Sequence, residues 1–356
     1  MKKLLNDFFD RYFHDEESII LVILLSAGLI ILLLFGSILA PLIAAIIISY
    51  LMQGLVNLLL RQRMSTKLAF ASVYILFVGI FTMLLFFVLP QVWNQLRRML
   101  DDVPNLVNQA QEALRNLPEN YPDVFSEQWV QQAINSLSGE VRGFGQTILE
   151  FSLASLPSLF GLFIFLILMP ILVFFMMKDK DELVLWFGNF LPRNRPLMSA
   201  IWKEMDEQIA NYIRGKVVEI IIVGSAAYLI FILIGINYAL ALSVLVGVSV
   251  IVPYIGAIAV TIPVVAIAYI QWGFTGEFYS VTLAYLILQI IDGNVLVPII
   301  FSEAVNLHPV AIIAAVLFFG GIWGMAGVFF AIPLATLIKA IINAWPSKVQ
   351  SKPLPD

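Results

Sequence analysis

The chain has 356 residues, 61% hydrophobic and 12% charged, with a mean hydropathy of +0.94. Soluble domains are about half apolar and about a quarter charged, so this composition belongs to an integral membrane protein. Net charge is −4 with no basic cluster, which excludes nucleic acid as a partner, and cysteine is absent, which excludes disulfides, thiolate metal sites and cysteine nucleophiles.

The chain opens on Met1-Lys-Lys-Leu-Leu, but its apolar run starts only at Ile19, with acidic residues ahead of it and no A-x-A site after it. That predicts an uncleaved first span rather than a signal peptide. Ile19 to Leu60 would be about 63 Å long as helix, two crossings of a core about 30 Å thick. Gly36-Ser-Ile-Leu-Ala-Pro41 is the natural turn between them. Leu68 to Leu89 is a third span, ended by Pro90.

A polar region follows, from Gln91 to about Ser155. It carries two heptad runs, Val92, Leu96, Met99, Val103, Leu106, Ala110, Ala113, Leu117 and Val130, Ile134, Leu137, Val141, Phe144, Ile148, Phe151. Both step by four and three, the spacing of a helical seam. Pro104 should start a new helix or kink the first one, with Asp102 or Val103 just outside. Leu156 to Met177 is a fourth span, and the charged, amphipathic stretch to Lys216 places Trp186, Phe187 and Phe190 at the membrane surface.

Val217–Gly235 and Val281–Ile300 are two more spans. The apolar stretches Ala239–Ile270 and Pro309–Ile342 are each interrupted near the middle, by Val252-Pro-Tyr-Ile-Gly256 and by Gly320-Gly-Ile-Trp-Gly-Met-Ala-Gly327. Each half is about 20–24 Å as helix, short for a crossing. Two re-entrant hairpins are expected, with Pro253, Gly256, Gly324 and Gly327 at their tips. Such broken helices survive at membrane depth only where protein covers them or a cavity lies beside them.

The expected fold is thus an all-α polytopic membrane protein with about six full transmembrane helices and two broken hairpins. Residues 1–89 hold the N-terminus and three spans, 90–155 an external helical pair, 156–177 span four, and 178–216 a cytoplasmic linker. Residues 217–342 form the transport region and 343–356 a cytoplasmic tail. With the N-terminus in the cytoplasm, sixteen of the twenty basic residues fall on the cytoplasmic side and both termini lie there. Ile262-Pro263 and Ile332-Pro333 lie 70 residues apart, each behind a similarly placed glycine. Span–hairpin–span–hairpin with opposed spans is the pattern of an inverted repeat, which points to a transport site.

Asp292 stands out within that region. A carboxylate at membrane depth costs several kcal/mol unless it is paired, protonated or facing water. Thr282, Tyr285, Gln289 and Asp292 recur at helical spacing, so their polar groups share one face. Asp292 is the candidate proton- or cation-coupling group, with Gln289, Tyr285 and Asn294 beside it; interhelical glue is the alternative role for polar residues there. Glu219, just after Lys216, reads as an interface anchor, and His308, before Pro309, as structural.

No HExxH, no G-x-S-x-G and no glycine-rich phosphate loop occurs, and no residue set requires a metal or an organic cofactor. An intramembrane aspartyl protease needs two membrane aspartates, and a serine protease needs a histidine at the depth of Ser225 or Ser243. The reading is therefore a transporter rather than an enzyme, with a scaffold protein of the envelope as the alternative.

Six segments together resemble the autoinducer-2 exporter family. They are Lys178-Asp-Lys-Asp, Tyr212-Ile-Arg-Gly-Lys216, Ile251-Val-Pro-Tyr-Ile-Gly256, Asp292-Gly-Asn-Val-Leu-Val-Pro298, Leu307-His-Pro309 and Gly324-Met-Ala-Gly-Val-Phe-Phe-Ala-Ile-Pro-Leu334. The resemblance covers roughly residues 15 to 345; where the family often has Asp-Asn, this chain has Asp292-Gly293, with Asn294 one place later. It implies a multi-pass protein of the bacterial inner membrane, homo-oligomeric, with a pentamer known in the family. It also implies export of a small polar signalling molecule, or exchange of a monovalent cation for protons in other members.

Overall fold

The computed structural model describes residues 16–115, 118, 126–132, 134–136, 156–193, 195–253, 255–301 and 307–344. Every element among them is helical. They are α1 (Glu16–Arg61), α2 (Thr66–Met83), a π-helical turn (Leu84–Val88), α3 (Leu89–Asp101), α4 (Val103–Arg115), α5 (Leu156–Lys178), α6 (Lys180–Gly188), α7 (Pro196–Ile234), α8 (Ala239–Ser249), α9 (Ile255–Trp272), α10 (Gly276–Ile291), a second π-helical turn (Asp292–Leu296), α11 (Val297–Phe301) and α12 (Pro309–Ala344). Seven helices among the described residues are long and apolar enough to cross a membrane. Their outer faces carry large exposed apolar side chains such as Leu34, Ile75, Phe86, Leu233, Ile258 and Ile299. Such belts suit hydrocarbon, where every backbone polar group is already satisfied within its helix. Of the heptad runs, Leu117 and the second run beyond Ile134 lie outside the described residues.

The chain divides into two compact units. The first holds residues 1–77, 168–218 and 298–356. In it, α1 folds back on itself. The Glu17 carboxylate accepts the backbone N–H groups of Leu197 (3.2 Å) and Met198 (2.7 Å), while the Tyr50 hydroxyl donates to the Asp206 carboxylate (2.7 Å). Met198 and Asp206 are about 12 Å apart along α7, whereas a straight α1 would hold Glu17 and Tyr50 about 50 Å apart. The bend falls where the sequence predicts a turn. Trp323 Nε1 donates to the Leu32 carbonyl and lies against Gly36, and Pro41 withholds a backbone donor. One long helical segment thus makes two crossings. Span three packs on span four through Phe70 and Tyr74 against Phe174, and the Tyr74 hydroxyl donates to the Pro170 carbonyl (3.3 Å).

In the same unit α12 is broken at Gly324, whose φ of 60° and ψ of −139° suit only glycine. The arms pack back to back: Ala315 and Val316 form a buried cluster with Ala331, flanked by Ile312 and Ala335. Ile312 and Ile332 also share one cluster, so the chain returns toward the end at which it entered. His308 Nδ1 accepts the Val310 N–H, a structural cap on the first arm.

The second unit holds residues 78–167 and 219–297. Its core is α7, α8, α9 and α10, built around Val223, Ala227, Phe231, Leu242, Val246, Val264, Val281 and Tyr285. At 11 residues α8 is about 16 Å long, half a crossing. Its partner α9 returns to where α8 began, for Gln271 donates to the Gly235 carbonyl (2.9 Å) and accepts the Asn237 N–H (2.6 Å). By length alone α9 and the second arm of α12 count as spans, but both are the returning arms of hairpins.

Helix α3 closes over the first hairpin. Gln95 accepts the Ala241 N–H (2.9 Å), satisfying an orphan donor at the start of α8. Tyr238, in the left-handed region at φ 60°, donates to the Asp102 carboxylate at 2.6 Å, which pushes the phenol up to about 12. Helix α4 starts at Val103, with Pro104 at its second position, the break expected there.

Candidate functional site: a polar stripe on the fifth and sixth spans

From Val281 to Ile291, helix α10 is apolar except for one stripe. Tyr285, fully buried, is its anchor. Its hydroxyl accepts from Gln289 Nε2 (2.6 Å) and donates to the Ala257 carbonyl on α9 (3.1 Å). Thr261 donates to the same carbonyl (2.7 Å), and its oxygen lies 3.2 Å from the Tyr285 oxygen. Tyr285 thereby fixes α10 to the returning arm of the first hairpin, one residue past its tip glycine. Thr282, one turn toward the other end of the stripe, keeps a buried hydroxyl with no hydrogen-bond partner among the described residues.

Asp292 continues this stripe and is 9% exposed. It opens the second π-turn, in which the Val297 N–H bonds the Asp292 carbonyl five residues back. The first π-turn is built alike, with Leu89 N–H on the Leu84 carbonyl, and it contains no polar side chain. Each stands two residues ahead of a proline, Pro90 or Pro298, whose ring crowds the carbonyl four residues back; a wider turn relieves that clash. The π-turn therefore has a local cause, and the chemistry lies in the stripe. Asn294 is outside it: the side chain is exposed and donates to the Ile290 carbonyl of its own helix (3.0 Å).

The tip residues have a shared geometry. Gly256 packs on the backbone of Ser249 and Gly327 on that of Phe319, so that a Cβ at either glycine would collide with that residue's carbonyl oxygen. Pro253 lies in the turn between α8 and α9, and Gly324 at the break in α12. Where α8 crosses α7, Gly247 meets Gly224 with the backbones nearly in contact; a Cβ at Gly247 would sit 3.0 Å from the Ile220 carbonyl.

Two residues were not legible as site members in the sequence. Thr261 stands alone in an apolar run, with no motif or polar spacing to mark it. Glu219 read as an interface anchor, but it is 2% exposed, enclosed among helices rather than turned to the headgroups. Lys216, one turn away on α7, is also buried, with its ammonium 5.3 Å from the centre of the Phe301 ring. Among the described residues no group of acids and histidines could hold a metal ion.

This architecture agrees with comparisons to known proteins. Residues 19–347 match the sequence profile of the AI-2E family transporters. The chain is 46% identical to PerM of Escherichia coli (strain K12), a protein named as a permease, over 97% of this chain and 98% of that one. It is 24% identical to YueF of Bacillus subtilis (strain 168), named as a transport protein, over 84% of this chain and 82% of that one. It is 25% identical to TqsA of Escherichia coli (strain K12), named as an AI-2 transport protein, over 86% of each chain. A multi-pass helical membrane protein that matches this profile along nearly its whole length belongs to the AI-2E family of transporters.

Proposed function

We propose that this protein is a secondary transporter of the bacterial inner membrane, in which Asp292 exchanges a proton as a small polar solute crosses. The observation that carries this reading is a carboxylate buried on a polar stripe in an otherwise apolar membrane helix. Ionisable groups at such depth line solute paths or proton relays. Gln289, Tyr285 and Thr282 supply neutral donors and acceptors along the same stripe, suited to a hydroxylated solute. Asn294, two residues past Asp292, lies on another face of the helix and is left out of the path. Pro253, Gly256, Gly324 and Gly327 form the hairpin tips; Gly256 and Gly327 close the arms on each other, and exposed Gly324 offers bare backbone to a solute. The sequence has no nucleotide-binding loop, so uphill movement draws on an ion gradient. The name of TqsA makes autoinducer-2 the first solute to test.

Purified protein in proteoliposomes, given autoinducer-2 in one arm and sodium in another, is expected to move one of them at least tenfold faster than protein-free vesicles. Flux of neither would favour the scaffold reading.

The orientation proposed has both termini in the cytoplasm, as the sixteen-to-four charge bias supports. Asn120→Cys in this cysteine-free chain should be labelled by an impermeant thiol reagent from outside. Labelling from the cytoplasmic side alone would invert the scheme.

A further inference from the structure

Glu219 is a buried carboxylate to which the transport reading gives no task. It shares a stripe with Val223, Ala227 and Phe231, each four residues further along α7. Those three residues enter the buried cluster that also takes in Val281, Tyr285, Leu288 and Leu296 from the helix carrying Asp292. The stripe of Glu219 and the stripe of Asp292 thus border one shared core.

The register is fixed at two levels. Phe231 stacks on Tyr285 with ring centres 6.5 Å apart, and Ile220 and Leu296 pack against the same cluster. The two helices run antiparallel. Glu219 lies twelve residues before Phe231, about 18 Å along the axis, and Asp292 seven residues after Tyr285, about 10.5 Å. The two carboxyls are thus about 7–8 Å apart along the helix axes, with Glu219 further toward the Lys216 end.

We propose that Glu219 is a second proton-carrying residue of the pathway, which passes one proton to and from Asp292 through bridging water. The step breaks an O–H bond on one carboxyl as another forms on its partner, water relays the proton, and nothing is oxidised or reduced. This rests on the reading of Asp292 as the coupling group. The titratable groups nearest Glu219 in this register are Lys216 on its own helix and Asp292 on α10; Tyr285 is about 18 Å further along the axis, and α8 carries none.

The test needs no knowledge of the solute. Infrared difference spectra of the full-length protein in bilayers, acidic minus alkaline, report the carbonyl stretch of protonated carboxyls. Glu219→Gln should remove one such band and Asp292→Asn another, while Glu219→Asp keeps a band at a shifted frequency. Each single variant should move the midpoint of the remaining band by about one pH unit, the size for two charges roughly 10 Å apart at an effective dielectric constant near 20. A Glu219→Gln spectrum with all bands and midpoints unchanged would overturn the proposal. So would loss of the Glu219 band with no movement of the Asp292 midpoint. A band that survives Asp292→Asn unchanged while Glu219→Gln removes its own would instead sink the Asp292 reading. Should Glu219→Gln fail to fold, Glu219→Asp carries the same test through its frequency shift.

Discussion

Gly256→Ala and Gly327→Ala are expected to be the most destabilising single-methyl changes in this chain. At each site the new Cβ would enter the carbonyl of the opposite arm, of Ser249 or Phe319. Backbone cannot rotate aside as a flexible side chain can, so the arms of the hairpin must part. Overpacking in a well-packed core costs about 1–3 kcal/mol, and a clash with backbone should sit at or beyond the upper end. Gly28→Ala and Gly79→Ala add the same methyl into open space and serve as controls. Melting of the purified variants in mild detergent checks this. The expected outcome is a clear drop in melting temperature for the two tip variants and none for the controls. Equal melting of all four would mean that the hairpins are looser than their geometry implies.

Asp292→Asn is expected to have the largest effect on transport. Asparagine keeps the size of the side chain and its capacity for hydrogen bonds but removes a charge and an exchangeable proton. The fold should persist, with a melting temperature no lower than that of the parent protein, because burying a neutral amide costs less than burying a carboxylate. Flux should fall at least tenfold. Tyr285→Phe makes a useful contrast. It frees the Ala257 carbonyl and Gln289 from their shared partner while leaving the carboxylate in place.

Much of this was legible in the sequence, for identifiable reasons. Spans announce themselves through long apolar runs, and hairpins through glycine and proline at mid-membrane, because few side chains tolerate backbone contact. Gly36 and Pro41 marked the bend in α1, and Pro104 the start of α4. The stripe of Tyr285, Gln289 and Asp292 followed from helical spacing alone. What the sequence could not reveal depends on partners distant in the chain. The burial of Glu219 is set by tertiary packing, whereas its nearness to Lys216 in the chain suggested the membrane surface. Thr261 joins the site only because the first hairpin brings α9 against α10. Asn294, two residues past Asp292, lies off the stripe and bonds the Ile290 carbonyl of its own helix.

The central claim is that the Asp292 carboxylate couples transport to protons. The most direct measurement is the rate of autoinducer-2 or sodium flux in proteoliposomes, for parent protein and Asp292→Asn, across mildly acidic to alkaline pH. Parent flux should change with pH, and flux by the variant should be both low and flat. An Asp292→Asn variant that transports at the parent rate with the parent pH profile would contradict the account.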